Sequence, residues 1–122
     1  KRGDTPLLFA AQNGHLECLE VLIEARMSID AARDDGVTPL FIASQTGDSH
    51  CVRMLLNAGA EVNRPAKSGR TPIFTAAYHG RRACVRELKK AGADCSVCIQ
   101  GRTPLDIARE NGKSDCVAEL ES

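Results

Sequence analysis

The sequence has no tryptophan, and aromatic residues make up only 3% of its 122 positions. A single globular core of this size leans on large rings. Their scarcity points instead to thin layers filled by Leu, Val, Ala and Cys, which the 43% hydrophobic content can supply. Net charge is also missing, since 16 basic residues balance 16 acidic ones. Without a whole-protein field of one sign, the simplest argument for a nucleic acid or an acidic membrane as partner falls away. No apolar run approaches the roughly 20 residues a membrane helix needs, so membrane insertion is not expected. No signal peptide is visible. No Gly-rich phosphate loop occurs, and His15, His50 and His79 share no face with Ser and Asp. Neither catalysis nor a cofactor is expected. The chain opens at Lys1-Arg2-Gly3 rather than at Met, and is therefore expected to be a piece of a longer protein.

What is present is a repeat, the feature to look for first in any chain. Thr-Pro stands at Thr5-Pro6, Thr38-Pro39, Thr71-Pro72 and Thr103-Pro104, at spacings of 33, 33 and 32 residues. Gly3, Gly36, Gly69 and Gly101 each precede the Thr by two places, and Gly14, Gly47, Gly80 and Gly112 each follow it by nine. Gly59 and Gly92 are also 33 apart, so all ten glycines fall on one lattice. Each unit reads as turn, helix, turn, helix. Thr is a good N-cap, and Pro in the first turn loses no hydrogen bond. The glycine after the first helix suits a left-handed closing residue. The second helix carries apolar residues at helical spacing: Cys18, Leu19, Leu22 and Ile23, then Cys51, Val52, Leu55 and Leu56, then Cys84, Val85 and Leu88, then Cys116, Val117 and Leu120.

This lattice resembles the ankyrin repeat over essentially the whole chain. Unit two carries the likeness best, from Gly36-Val37-Thr38-Pro39-Leu40 through Ala43, Gly47, Val52 and Leu55-Leu56 to Ala58-Gly59-Ala60-Glu61-Val62-Asn63. The resemblance implies an all-α solenoid of stacked helix pairs with β-hairpin loops along one edge. Residues 1–122 form one domain, with units at about 1–35, 36–68, 69–100 and 101–122. The family's common role is protein recognition on the concave face, without shared catalytic residues. Several departures carry expectations. The His usual after Thr-Pro-Leu is replaced by Leu8, Phe41, Phe74 and Asp106, with apolar contacts expected in the first three. Arg26 stands where Gly59 and Gly92 stand; left-handed backbone there would cost roughly 1 kcal/mol. Lys89 replaces the Leu56-type residue, and its stem can still cover apolar surface. The loop between units three and four is one residue short.

Four of the six cysteines (Cys18, Cys51, Cys84, Cys116) share one lattice place and read as small buried apolar residues. Cys95-Ser-Val-Cys98 lacks the second pair or the histidines that zinc would need, so no metal site is expected. Unpaired cysteines fit a reducing, intracellular compartment, cytoplasm or nucleus. Residues 64–90 carry eight basic residues against Glu87 alone, while residues 1–63 and 91–122 are acidic. That band reads either as a solvated surface or as a selector for an acidic partner.

On the resemblance, the recognition residues are those that vary at hairpin tips and first-helix ends. They are Asp34, Asp35 and Val37; Lys67, Ser68 and Arg70; Ile99, Gln100 and Arg102; with Gln12, Asn13, Gln45, Thr46, Tyr78, His79, Glu110 and Asn111. Tyr78, the only tyrosine, is expected at the centre with Arg70 and Arg102 beside it, because Tyr and Arg are favoured interface anchors. Leu55, Glu61, Val62 and Asn63 also resemble the ankyrin pattern read by an oxygen-dependent asparaginyl hydroxylase, which would make Asn63 a modification site. The expected function is a monomeric module that binds a partner protein or peptide, an acidic one if the basic band takes part. A structural spacer positioning another domain is the alternative. Nucleic acid is not expected, since stacking groups are scarce.

Overall fold

A computed structural model describes residues 3–122. Lys1 and Arg2, on which the reading of an excised start rests, lie outside the described residues. The described residues form eight helices. These are α1 (Pro6–Asn13), α2 (Leu16–Glu24), α3 (Pro39–Thr46), α4 (Ser49–Asn57), α5 (Pro72–Tyr78), α6 (Arg82–Lys90), α7 (Pro104–Glu110) and α8 (Ser114–Glu121). Odd-numbered helices pack on one another in an inner row, and even-numbered helices form an outer row. Each inner helix also packs on the outer helix that follows it.

The Thr-Pro lattice sets where the inner helices begin. Thr5, Thr38, Thr71 and Thr103 are extended, and each hydroxyl accepts from the N–H three residues on, at 3.2–3.3 Å. Where Asp106 replaces His, its carboxylate accepts from Thr103 N–H at 3.1 Å and completes a capping box. Leu8, Phe41 and Phe74 are buried at the same place, as expected. The two central inner helices are nearly all core: α3 is buried from Pro39 to Ser44 and α5 from Pro72 to Ala77. Ala43, Ser44, Ala76 and Ala77 keep neighbouring inner helices close, and Ser44 satisfies its hydroxyl by donating to Leu40 O at 2.8 Å.

The outer helices are amphipathic and bury Cys51, Val52 and Leu55, then Cys84, Val85 and Leu88. Leu55 is fully buried, as its place in the second helix requires. Arg26 does take the left-handed conformation, at φ 62°. Lys89 does more than cover apolar surface. Its Nζ donates to the backbone oxygens of Glu119 at 2.6 Å and Ser122 at 2.9 Å, which places a cation at the C-terminal end of α8.

The expected β-hairpins reduce to tight turns with arms one residue long. Arg33 N–H donates to Val37 O, and Ala66 N–H to Arg70 O, both at 2.9 Å. In the shortened third loop, Ile99 and Arg102 exchange both bonds and form an isolated bridge. Two residues must make that reversal, so Gln100 and Gly101 both adopt positive φ, 54° and 78°, the requirement of a type I′ turn. Successive turns lean on each other, with Lys67 N–H donating to Asp35 O at 2.9 Å.

Candidate partner-binding face

The turns fold over the inner helices on one side of the stack, and a cleft of about 410 Å³ opens there between units two and three. Its apolar lining comes from Val37, Phe41 and Ala66, which belong to a buried cluster with Leu8, Ala11 and Ile42. Its polar lining comes from the turns, through Arg33, Asp35, Lys67, Ser68 and Arg70, and from Gln45 and Thr75 on the inner helices.

Arg70 is the cation that the turn presents. Its N–H donates to Ser68 Oγ at 3.3 Å and its carbonyl accepts from Ala66, so the backbone is fixed. Arg70, Phe74 and Tyr78 follow at intervals of four residues. The guanidinium accordingly lies over both rings, 4.8 Å from the Tyr78 centroid and 5.7 Å from that of Phe74. No carboxylate among the described residues pairs with it. Tyr78 is exposed, and its other neighbour is His79, edge-on at 5.1 Å. Burial, then Arg81, Arg70 and Lys113, hold the His79 imidazole below the ordinary histidine value.

The expected grouping of Tyr78 between two arginines is only half present. Arg70 is there. Arg102 instead sends its Nε to both oxygens of Glu110, at 2.7 and 2.8 Å, so these two expected site residues occupy each other. With Gln100 fixed in its turn and Ile99 packed against the core, the fourth unit offers a neutralised surface beside exposed Asn111. Val37 is buried and forms floor, not rim. Asp35 is held within its own turn, accepting from Arg33 at 2.9 and 3.2 Å and from Val37 N–H at 3.1 Å. Arg33 therefore holds the Asp35 carboxyl below the usual carboxylate range. Asp34, Gln12 and Asn13 are exposed. Thr46 donates its hydroxyl to Ala43 O at 3.2 Å, and the Gln45 carbonyl accepts from Arg81 at 3.0 Å.

Thr75 escaped the sequence reading. It occupies the lattice place of Phe9, Ile42 and Ile107, and a hydroxyl in that apolar column was a legible signal. It is buried, and its Oγ1 has no hydrogen-bond partner among the described residues. Arg33 and Phe41 also line the cleft without having been singled out as site residues.

Elsewhere, two members of the basic band are paired along the outer row, where Arg82 and Arg86 share Glu119 at 3.4 and 3.3 Å. Glu87, the band's one acid, is held at 3.0 Å by Arg53 from outside the band. Cys51, Cys84 and Cys116 are buried, and desolvation pushes the first two thiols up to about 12. Cys18 breaks the expectation of four buried lattice cysteines: it is exposed, because no helix pair among the described residues lies over that side of α2. Asn63 is exposed, and its Oδ1 accepts from Asp94 N–H at 2.8 Å. One unit earlier, the Asp30 carboxylate accepts from Glu61 N–H in the same way. Asn63 thus bridges adjacent loops as Asp30 does one unit earlier.

No helix among the described residues is long and apolar enough to cross a membrane. No curated protein matches the chain as a relative. A family model for ankyrin repeats matches residues 1–66 and again 64–121. Repeats of this kind are generally protein–protein interaction modules and are typically non-enzymatic. With four Thr-Pro-started helix pairs in register and a family match along nearly its whole length, the chain belongs to the ankyrin-repeat family.

Proposed function

We propose that this chain binds a partner protein or peptide on its turn-and-inner-helix face, the concave side of the stack. The cleft between units two and three is the centre of that face. The observation that carries the reading is Arg70, a guanidinium stacked over Phe74 and Tyr78 with no carboxylate partner, at the rim of an apolar-floored cleft. A stacked guanidinium is preorganised, so little freedom is lost when a carboxylate docks on it. Lys67 adds a second positive charge nearby, and Thr75 offers a hydroxyl that burial leaves unsatisfied. A buried orphan of this kind costs about 1–3 kcal/mol, and a ligand group that reaches it recovers part of that. The partner segment that fits carries an Asp or Glu beside an apolar side chain. A pure spacer has no use for an unpaired cation over an open cleft. Six free thiols, three of them buried, support a reducing, intracellular setting.

The test uses an arrayed library of acidic and neutral peptides. Binding is expected to select peptides with an acidic residue next to an apolar one. Arg70→Glu is expected to weaken the best binder by ~2 kcal/mol or more, the size of an anchor loss, and to lower the melting temperature by only a few degrees, roughly what loss of the stacking over Phe74 and Tyr78 would cost. Arg86→Glu, on the outer row, is expected to leave binding intact. The reverse pattern would place the site on the outer, convex surface.

A further inference from the structure

The first unit carries an apolar surface that the rest of the stack does not leave bare. Phe9 is 60% exposed and Val21 62% exposed. With Pro6, Ala10, Cys18 and Leu22 they line a groove of about 460 Å³. The lattice identifies what this surface is. Phe9 corresponds to Ile42, Cys18 to Cys51 and Leu22 to Leu55. Ile42 is 4% exposed, and Cys51 and Leu55 are fully buried. Residue type and local helix are alike in the two units; only the neighbour differs. In unit two these side chains lie under α1 and α2, and in units three and four the equivalent Cys84, Leu88, Ile107 and Cys116 are covered in turn.

We propose that the groove on α1 and α2 is the seat of a further ankyrin-type helix pair, stacked ahead of the first unit in the register of the other seams. A groove is filled by a ridge. The ridge that this chain fits to such grooves three times is the trailing face of a helix pair, not a second groove, which argues against two copies meeting face to face.

The seams also specify the kind of pair. At the lattice place of Val21, units three and four carry Glu87 and Glu119, and each receives arginine from the preceding outer helix. Unit two carries Met54 there, and it lines a shallow groove with Glu20, Ile23 and Glu24 of α2 and no arginine. Val21 has no carboxylate to offer. A covering pair that resembles unit one, without a guanidinium over that place, therefore fits, and one that resembles unit two, with Arg53, does not.

The test joins a copy of residues 3–35 ahead of Gly3 of the whole chain, so that the copy's Asp35 meets Gly3 as Asp35 meets Gly36 in the protein itself. The copy carries Cys18→Ser, which leaves the original Cys18 as reporter. Iodoacetamide labelling of Cys18, read by mass spectrometry, is expected to slow by about tenfold or more, as for a side chain that reacts only on local opening. Amide exchange in α1 and α2 should slow with it. Val21→Glu in the original unit of the extended protein should restore labelling, and a copy of residues 36–68 in place of the first should protect less. Three results would overturn the proposal. One is unchanged Cys18 labelling with the added helices formed. Another is an added pair that stays unfolded on this template. The third is sedimentation of the 122-residue protein as a dimer that Val21→Glu dissociates, which would make a second copy the occupant.

Discussion

The pair α1–α2 and the pair α7–α8 share a Thr-Pro start, a left-handed glycine after the first helix and a cysteine at one place on the second helix, yet Cys18 is exposed and Cys116 fully buried. The two ends are also finished differently. At the far end, Asp106 closes a capping box, Arg109 pairs with Glu121, Lys89 sits on the last carbonyls of α8, and two arginines hold Glu119. At the near end, Phe9 and Val21 stand open, and α2 leads into a left-handed Arg26. In a stack of units each touching only its neighbours, burial is a property of the seam and not of the residue. The first unit has one seam of its own, while units two and three have two.

The strongest way to break that comparison is to cut the same leucine in three units. Leu55 and Leu88 are fully buried, and Leu55→Ala or Leu88→Ala is expected to cost about 2–5 kcal/mol, since each leaves a closed cavity. Leu22 stands at the same place but is only partly buried and faces the open groove. Leu22→Ala leaves no closed cavity and is expected to cost about 1 kcal/mol, the transfer of a few methylenes. Urea unfolding followed by circular dichroism measures all three. Equal losses would mean that the first unit's groove is covered in solution. A second, shallower transition in the Leu55→Ala curve would show units uncoupling rather than unfolding together.

A smaller change sharpens the contrast from the near end. Arg26→Gly places at the end of α2 the residue that Gly59 and Gly92 supply after α4 and α6, and φ there is already 62°. The backbone strain it removes is about 1 kcal/mol, partly offset by the greater freedom of glycine in the unfolded chain. Thermal unfolding should move upward, and amide exchange at the C-terminal turn of α2 should slow. A fall in stability would show that the Arg26 side chain holds contacts worth more than its backbone strain.

How much of this was legible in the sequence follows from the same distinction. The lattice fixes what is local: Thr5, Thr38, Thr71 and Thr103 cap their helices as Thr before Pro should, and Arg26 is left-handed because its place is a glycine's. Leu55 was legible too, since a helix stripe repeated in neighbouring units has only one way to pack. The exposure of Cys18 was not, because a repeat reads the same whether or not a neighbour covers it. Nor was the capture of Arg102 by Glu110, eight residues apart across a turn, where no helical or strand period brings residues together. Lys89 reaches carbonyls thirty residues on, a contact only the stack creates. The Asp106 capping box is legible in Thr-x-x-Asp, a pattern that the absence of histidine at that place hides.

The smallest expected effect lies in the last seam. Glu119 accepts from Arg82 and Arg86 across the outer row, and both arginines are half-exposed. Pairs of this exposure trade Coulomb energy against side-chain freedom and are weakened by salt. Glu119→Gln keeps the shape and removes the charge, and should lower the melting temperature by only about 1–4 °C. The loss should shrink in high salt, where the parent pair is already screened. The pH dependence has a fixed sign. The two arginines hold the Glu119 carboxyl below its ordinary value, Arg86 foremost. The unfolded chain therefore takes up this proton first as pH falls. The contribution is complete above the ordinary glutamate range and disappears as pH drops through the lowered folded value. Melting curves of parent and Glu119→Gln should thus converge toward low pH and stay apart near neutrality. A gap that persists undiminished in both acid and salt would assign the effect to packing against α6 and not to charge, and the far end of the stack would then be closed by shape alone.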